Sequence, residues 1–299
     1  MKKSIVKKII NRIYPFSHLA FYTQRLITRP SHRKLAVAMA RNFLPKHRAP
    51  LSVEIKHDLN ILNNDGYLTL DNLIPKNQIH EMVSWLSDKK VFDRWRPDNG
   101  FFDPDTPAPD CHTALFSTED VVRCPYALEW ANNPKVLSIV GHALGAKPTL
   151  SNISIWWSYP GHEKPQEAEN FHRDVDDLAF IKLFIYLTDV DDGCGPHVFV
   201  PGSQNKQIFG KIRRYSDEEI EKTFGRDGIK TFTGPQGSAF LENTFGLHKG
   251  QLPKKKRRLL FQAQYSLHPI GIYKYNPIVH SKILSAQFDN YTNRLYISK

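Results

Sequence analysis

The chain has 299 residues, 40% of them hydrophobic, with three widely spaced cysteines and a formal net charge of +11. That is enough apolar material for one large domain or two small ones, and it excludes a disulfide framework. Twelve Lys and Arg precede Glu54, the first acidic residue, and the remainder sums to about −1, so a near-neutral domain carries a basic arm.

Residues 1–50 form that arm, which is expected to be helical. From Met1 to Tyr14, Ile5, Val6, Ile9, Ile10 and Ile13 share one face at helical spacing. Lys3, Lys7, Lys8, Asn11 and Arg12 lie around the other face, and Pro15 ends the pattern. No apolar run is long enough for a secretory core or a membrane span. Three readings stay open: a helix on an anionic membrane surface, a solvated helix packed on the next domain, and an organellar transit peptide. The first puts peripheral membrane contact at residues 1–14, on the inner face of a membrane. The cysteines Cys111, Cys124 and Cys194 suit a reducing, cytoplasmic setting. Arg33 to Leu44 reads as a second short helix, and Pro45 and Pro50 as a linker.

The folded domain is expected over residues 51–299, with its core at about 147–267. Val53 to Leu62 reads as a helix, Asn64-Asp65-Gly66 as a turn and Tyr67 to Leu70 as a strand. A helix begins at Pro75 and runs to about Lys89. Arg94 to Asp110 has no periodicity and reads as a surface loop or lid. Helices follow over Tyr126 to Asn132 and Pro134 to Leu144, then a strand over Thr149 to Tyr159. One of Trp156 and Trp157 must face inward on that strand, and Trp157 is assigned to the substrate.

The densest chemistry lies between Asn170 and Ser203. In an extended strand His172 and Asp174 point the same way. With a third ligand from elsewhere they would complete a two-His-one-carboxylate set, which leaves positions open and suits non-haem Fe(II). Phe180 to Val190 is an apolar run suited to a buried strand. Asp191-Asp192-Gly193 turns the chain, Val198-Phe199-Val200 starts a second strand, and Pro201-Gly202 ends it. A polar insert follows, Asn205 to Asp227, of a kind that often covers a barrel mouth. It carries a helix from Ser216 to Phe224, with Ser216 and Glu219 as a capping box and Gly225 as its stop. Ile229 to Phe232, Ser238 to Leu241 and Arg257 to Leu267 are the remaining strands. The Lys254–Arg257 charge run has no interleaved aromatics, so no nucleic-acid partner is expected.

His-x-Asp, then Tyr186-Leu187-Thr188-Asp189-Val190, Gly195-Pro196 and Pro201-Gly202-Ser203, resembles the core of the phytanoyl-CoA dioxygenase family. Gly246-Leu247-His248 followed by Arg258 opening a strand fits the same pattern. The resemblance spans roughly Asn64 to Tyr265 and is strong from Phe171 onward. It implies an α+β fold: a double-stranded β-helix (jelly-roll, cupin-like) barrel flanked by helices. It implies an Fe(II)- and 2-oxoglutarate-dependent dioxygenase that uses O2 to hydroxylate a small-molecule, lipid-linked or saccharide substrate. His172, Asp174 and His248 would be the metal ligands, and Arg258 would hold the far carboxylate of 2-oxoglutarate. Arg257 competes with Arg258 at opposite strand parity, and Asp176 with Asp174. Phe184 and Lys182 share a strand face and are assigned to the co-substrate, and Arg173 to the substrate. An aspartate at 174 favours hydroxylation over halogenation. A non-catalytic binding barrel and a peptidyl hydroxylase are the alternatives.

Overall fold

The computed structural model describes residues 17–280 and 287–298. The expected helix over residues 1–14 lies outside them. Eleven strands build two facing sheets: β1 (Tyr67–Leu70), β2 (Val91–Phe92), β3 (Phe101–Phe102), β4 (Thr113–Phe116), β5 (Thr149–Ser158), β6 (Phe180–Tyr186), β7 (His197–Phe199), β8 (Lys230–Phe232), β9 (Ala239–Glu242), β10 (His248–Gly250) and β11 (Arg258–Ser266). The large sheet runs β1-β9-β6-β11-β5-β4-β2-β3, and the small one β10-β7-β8. Every neighbouring pair in both is antiparallel. A two-stranded parallel pair, Val279–His280 with Ile297–Ser298, lies apart. This is the helix-flanked jelly-roll architecture that the sequence implies.

Strand parity divides the core in two. Ile181, Leu183 and Ile185 of β6, with Leu259, Phe261, Ala263 and Tyr265 of β11, face the helices and pack with Ile79, Met82, Val136 and Ile139. Phe184 and Tyr186, with Phe240 and Leu260, face the other way and meet Phe199 and Phe232 of the small sheet. Every residue of β6 is buried because both its faces are covered. Each large apolar side chain sunk this way contributes roughly 1.5–3 kcal/mol.

Local chemistry sets the element ends. Ser52 caps the helix Val53–Asp65 by accepting from the Ile55 N–H at 3.2 Å. Gly66, at φ 86, closes it in the left-handed region that favours glycine, and a Cβ there would also crowd Gln204 and Phe199. Ser216 and Glu219 form the expected capping box on Asp217–Phe224, and Gly225 follows.

Several boundaries differ from the sequence reading. The helix expected at Arg33 begins at Pro30, where proline suits the first turn. The aperiodic 94–110 stretch contains β3, paired to β2. Thr118–Arg123 is a further helix, capped by Ser117. The Phe180–Val190 run is a strand only to Tyr186, after which Val190 bridges Gly234 alone.

The described part of the arm is seated on the barrel. Phe21, Gln24, Pro30 and Arg33 are its buried residues. Gln24 Nε2 donates to the Val175 carbonyl at 2.6 Å. Arg33 donates to the carbonyls of Ile27, Asp177 and Leu178 and to Gln24 Oε1, and lies over the Phe245 ring at 4.5 Å.

Candidate metal centre

His172 and Asp174 do not lie on a regular strand. His172 forms a two-way bridge to His248: its N–H donates to the His248 carbonyl at 2.9 Å, and the His248 N–H returns at 3.0 Å. Two residues on, the Asp174 N–H donates to the Thr244 carbonyl at 2.9 Å. Alternate N–H groups thus face the same 244–248 segment, so the side chains alternate as in a strand although no ladder forms. The bridge fixes the two histidines opposite each other, with ring centroids 4.2 Å apart.

The three predicted ligands converge. Asp174 Oδ1 is 3.5 Å from His172 Nε2, and Asp174 Oδ2 is 3.3 Å from His248 Nε2. One donor atom from each lies within 4.8 Å of the others. Octahedral donors about 2.1 Å from one ion are separated by about 3 Å, so the spacing suits a single cation. Each imidazole is oriented from behind: Asn170 O is 2.9 Å from His172 Nδ1, and Gly246 O is 3.0 Å from His248 Nδ1. Each carbonyl accepts a hydrogen bond from Nδ1–H, the tautomer that leaves Nε2 a lone pair aimed at the centre. Burial, then the neighbouring His248, lowers the pKa of His172, which favours the neutral ligand form. Burial pushes the Asp174 carboxyl up, but Lys182 and the two histidines outweigh it and hold it well below the usual range. Lys182 Nζ lies 2.6 Å from Asp174 Oδ2 and 3.6 Å from Asp176 Oδ2.

Arg258 and Arg257 separate by parity. Arg258 is buried on the inner face with Leu260, donating to the Gly195 carbonyl and, at 3.2 Å, to Ser158 Oγ. Both partners are neutral, its Nε has no partner, and no carboxylate pairs with it among the described residues. Its Nη2 lies 3.3 Å from where a Gly250 Cβ would stand, so glycine at 250 leaves the guanidinium room beside the strand that carries His248. Arg257 faces outward, pairs with Asp105 at 2.5 Å and covers the Trp157 ring at 4.1 Å.

Two substrate assignments are corrected. Trp156 packs with the inner cluster, whereas Trp157 faces the helix side under Arg257. Trp157 lines an open groove with Asp189, Asp191 and Lys256 that contains none of the three converging ligands. Arg173 points away from its neighbours in sequence. It donates to the carbonyls of Ser203, Lys206, Ile208, Phe209 and Phe245, so it ties the insert to the barrel.

Sequence reasoning missed a buried pair inside the barrel. His197 Nε2 lies 2.9 Å from Glu242 Oε2, and both residues are buried. Burial raises the Glu242 carboxyl to about 8 and lowers the His197 imidazole well below its usual value, so both are neutral near pH 7. The His197 ring lies 4.8 Å from Phe184 and 5.6 Å from His248. Its signal was the alternation His197-Val198-Phe199, which puts His197 on the face of the inward Phe199.

No family model matches the chain, and neither does any curated protein. Among solved structures, SnoK, a non-heme alpha ketoglutarate dependent carbocyclase from nogalamycin biosynthesis, aligns at TM-score 0.52 and 13% identity, over 70% of this chain and 83% of that one. EctD from S. alaskensis with bound Fe aligns at 0.51 and 16%, over 76% and 84%. The same protein with 2-oxoglutarate and 5-hydroxyectoine aligns at 0.51 and 15%, over 85% and 94%. At these identities the chain shares their fold.

Proposed function

We propose that the chain is an Fe(II)- and 2-oxoglutarate-dependent dioxygenase, a hydroxylase of a small-molecule, lipid-linked or saccharide substrate. The observation that carries this reading is the convergence of His172, Asp174 and His248 in a barrel that also buries Arg258 without an anionic partner among the described residues. A buried cation lacking a counter-charge is costly, and a ligand carboxylate would relieve it. EctD, which shares the fold, holds Fe in one structure and 2-oxoglutarate in another. The motif resemblance to the phytanoyl-CoA dioxygenases points the same way.

In this reading His172, Asp174 and His248 hold the iron and leave positions for the co-substrate and O2. Bound iron with 2-oxoglutarate supplies the oxidising chemistry that places a hydroxyl on the substrate. The residues prepare that chemistry. The carbonyls of Asn170 and Gly246 aim both imidazoles. Lys182 keeps Asp174 ionised, and Arg258 binds the far carboxylate of 2-oxoglutarate through its fork of donors. Phe184, Phe240 and Leu260 wall the interior against water.

Succinate release, measured with and without Fe(II) over a panel of sugars, lipid-linked saccharides and small metabolites, tests this. Iron-dependent release stimulated by one substrate class supports it. Absence of iron-dependent 2-oxoglutarate decarboxylation under every condition would leave a non-catalytic barrel.

A further inference from the structure

The described part of the arm carries apolar side chains on two sides. Phe21 is buried and Val37, Ala40 and Leu44 pack on the core, with Gln24 and Arg33 also buried, while a second set of large apolar residues is exposed. Leu19, Tyr22 and Leu26 are exposed at spacings of three and four along helical residues 17–24 and the turn that follows. Leu35, Met39 and Phe43 are exposed at spacings of four along Pro30–Ala40 and the short helix Arg41–Phe43. Each set is one side of its segment. The two meet at an open groove of about 430 Å³ that Leu26, Leu35 and Met39 line together with Arg29 and His32. Of thirteen large hydrophobic residues exposed among the described residues, eight fall between Leu19 and Val53, so the apolar surface is concentrated here. A patch of this kind marks a partner.

We propose that this helical hairpin is a docking face for an anionic lipid bilayer. Charge decides among occupants. No acidic residue precedes Glu54; Arg29 and His32 line the groove, and Lys34 is exposed next to Leu35. Basic residues beside exposed leucine, methionine and aromatic side chains match a surface with anionic headgroups above an apolar interior. A nucleic acid would be served by the charges and repelled by the leucines. Arg33 and Gln24 hold the hairpin to the 175–178 loop, which leaves the side bearing Leu26, Leu35 and Met39 facing outward.

Co-sedimentation of the full chain with vesicles tests this independently of the proposed chemistry. The protein should pellet with vesicles of mixed phosphatidylcholine and phosphatidylglycerol, stay in solution with phosphatidylcholine alone, and be released as salt screens the charges. The combined variant Leu26→Ser, Leu35→Ser, Met39→Ser should keep the wild-type melting temperature, since all three are exposed, and bind about ten-fold less. Wild-type protein remaining in the supernatant at low salt, or equal pelleting of the variant, would overturn the proposal. Light scattering adds one further contrary outcome: a wild-type dimer that the variant breaks, with no vesicle binding by either, would make the face an interface between copies.

Discussion

His172 and His248 owe their orientation to backbone carbonyls two residues upstream of each, so their roles can be separated from folding. His172→Ala or His248→Ala should abolish stoichiometric Fe(II) binding in a metal titration while the far-ultraviolet circular dichroism is unchanged. The two arginines allow a sharper contrast. Arg258→Ala should cost about 2–5 kcal/mol of 2-oxoglutarate binding, which raises its KM by roughly thirty-fold to a few thousand-fold. Arg257→Ala, on the outer face with Asp105, should leave that KM nearly unchanged; the reverse pattern would reassign the co-substrate contact. The buried pair gives a pH test of the metal-free protein. The Glu242 carboxyl lies at about 8 in the fold against an ordinary 4.5. The folded state therefore holds a proton that the unfolded chain gives up, and this contribution is full below 4.5 and lost as pH rises toward 8. Asp174, held low, works in the opposite sense and loses its contribution only in acid. His197 and His172, both lowered, work against this below their ordinary 6.5, so Glu242→Gln should flatten the fall in melting temperature between pH 6.5 and 8, the part of the Glu242 interval they leave clear.

Among the elements, the arm and the ligand-bearing loops form one mechanical unit. Arg33 holds the carbonyls of Asp177 and Leu178, Gln24 holds that of Val175, and Arg33 and Arg173 both lie over Phe245, at 4.5 and 5.3 Å. Asp174 begins that loop, and Phe245 lies three residues before His248. Arg33→Ala would leave several buried carbonyls without donors, each at about 1–3 kcal/mol. Thermal unfolding should shift down by several degrees, and Fe(II) affinity should fall with it, because the loop that carries Asp174 loses its backing. Unchanged metal affinity in a destabilised Arg33→Ala protein would make the contact purely structural. Sequence reading fared unevenly at this scale. The capping box of Ser216 and Glu219 and the stop at Gly225 were legible because caps are local chemistry. Strands β2, β3 and β10 have two or three residues, too few for a period of two to appear.

For the whole molecule, the pairing of His172 with Asp174 was legible in the His-x-Asp spacing, while the barrel and the third ligand, His248, were implied by the resemblance of the turn and strand motifs to a known family. What was not legible depends on long-range packing. The inward choice of Trp156 over Trp157 is set by where the strand meets the helices. The anchoring of Arg173 comes from carbonyls 30 or more residues away in sequence. The Glu242–His197 pair joins β9 to β7 across the interior. The three cysteines are buried and unpaired, and no helix among the described residues is long and apolar enough to cross a membrane. The central claim is that one interior holds both an iron site and an anion site, and anaerobic calorimetry of 2-oxoglutarate binding tests it most directly. The account predicts binding to Fe(II)-loaded wild-type protein, much weaker binding without metal, and none in the same concentration range to Fe(II)-loaded Arg258→Ala. Equal binding with and without iron, or undiminished binding to Arg258→Ala, would contradict it.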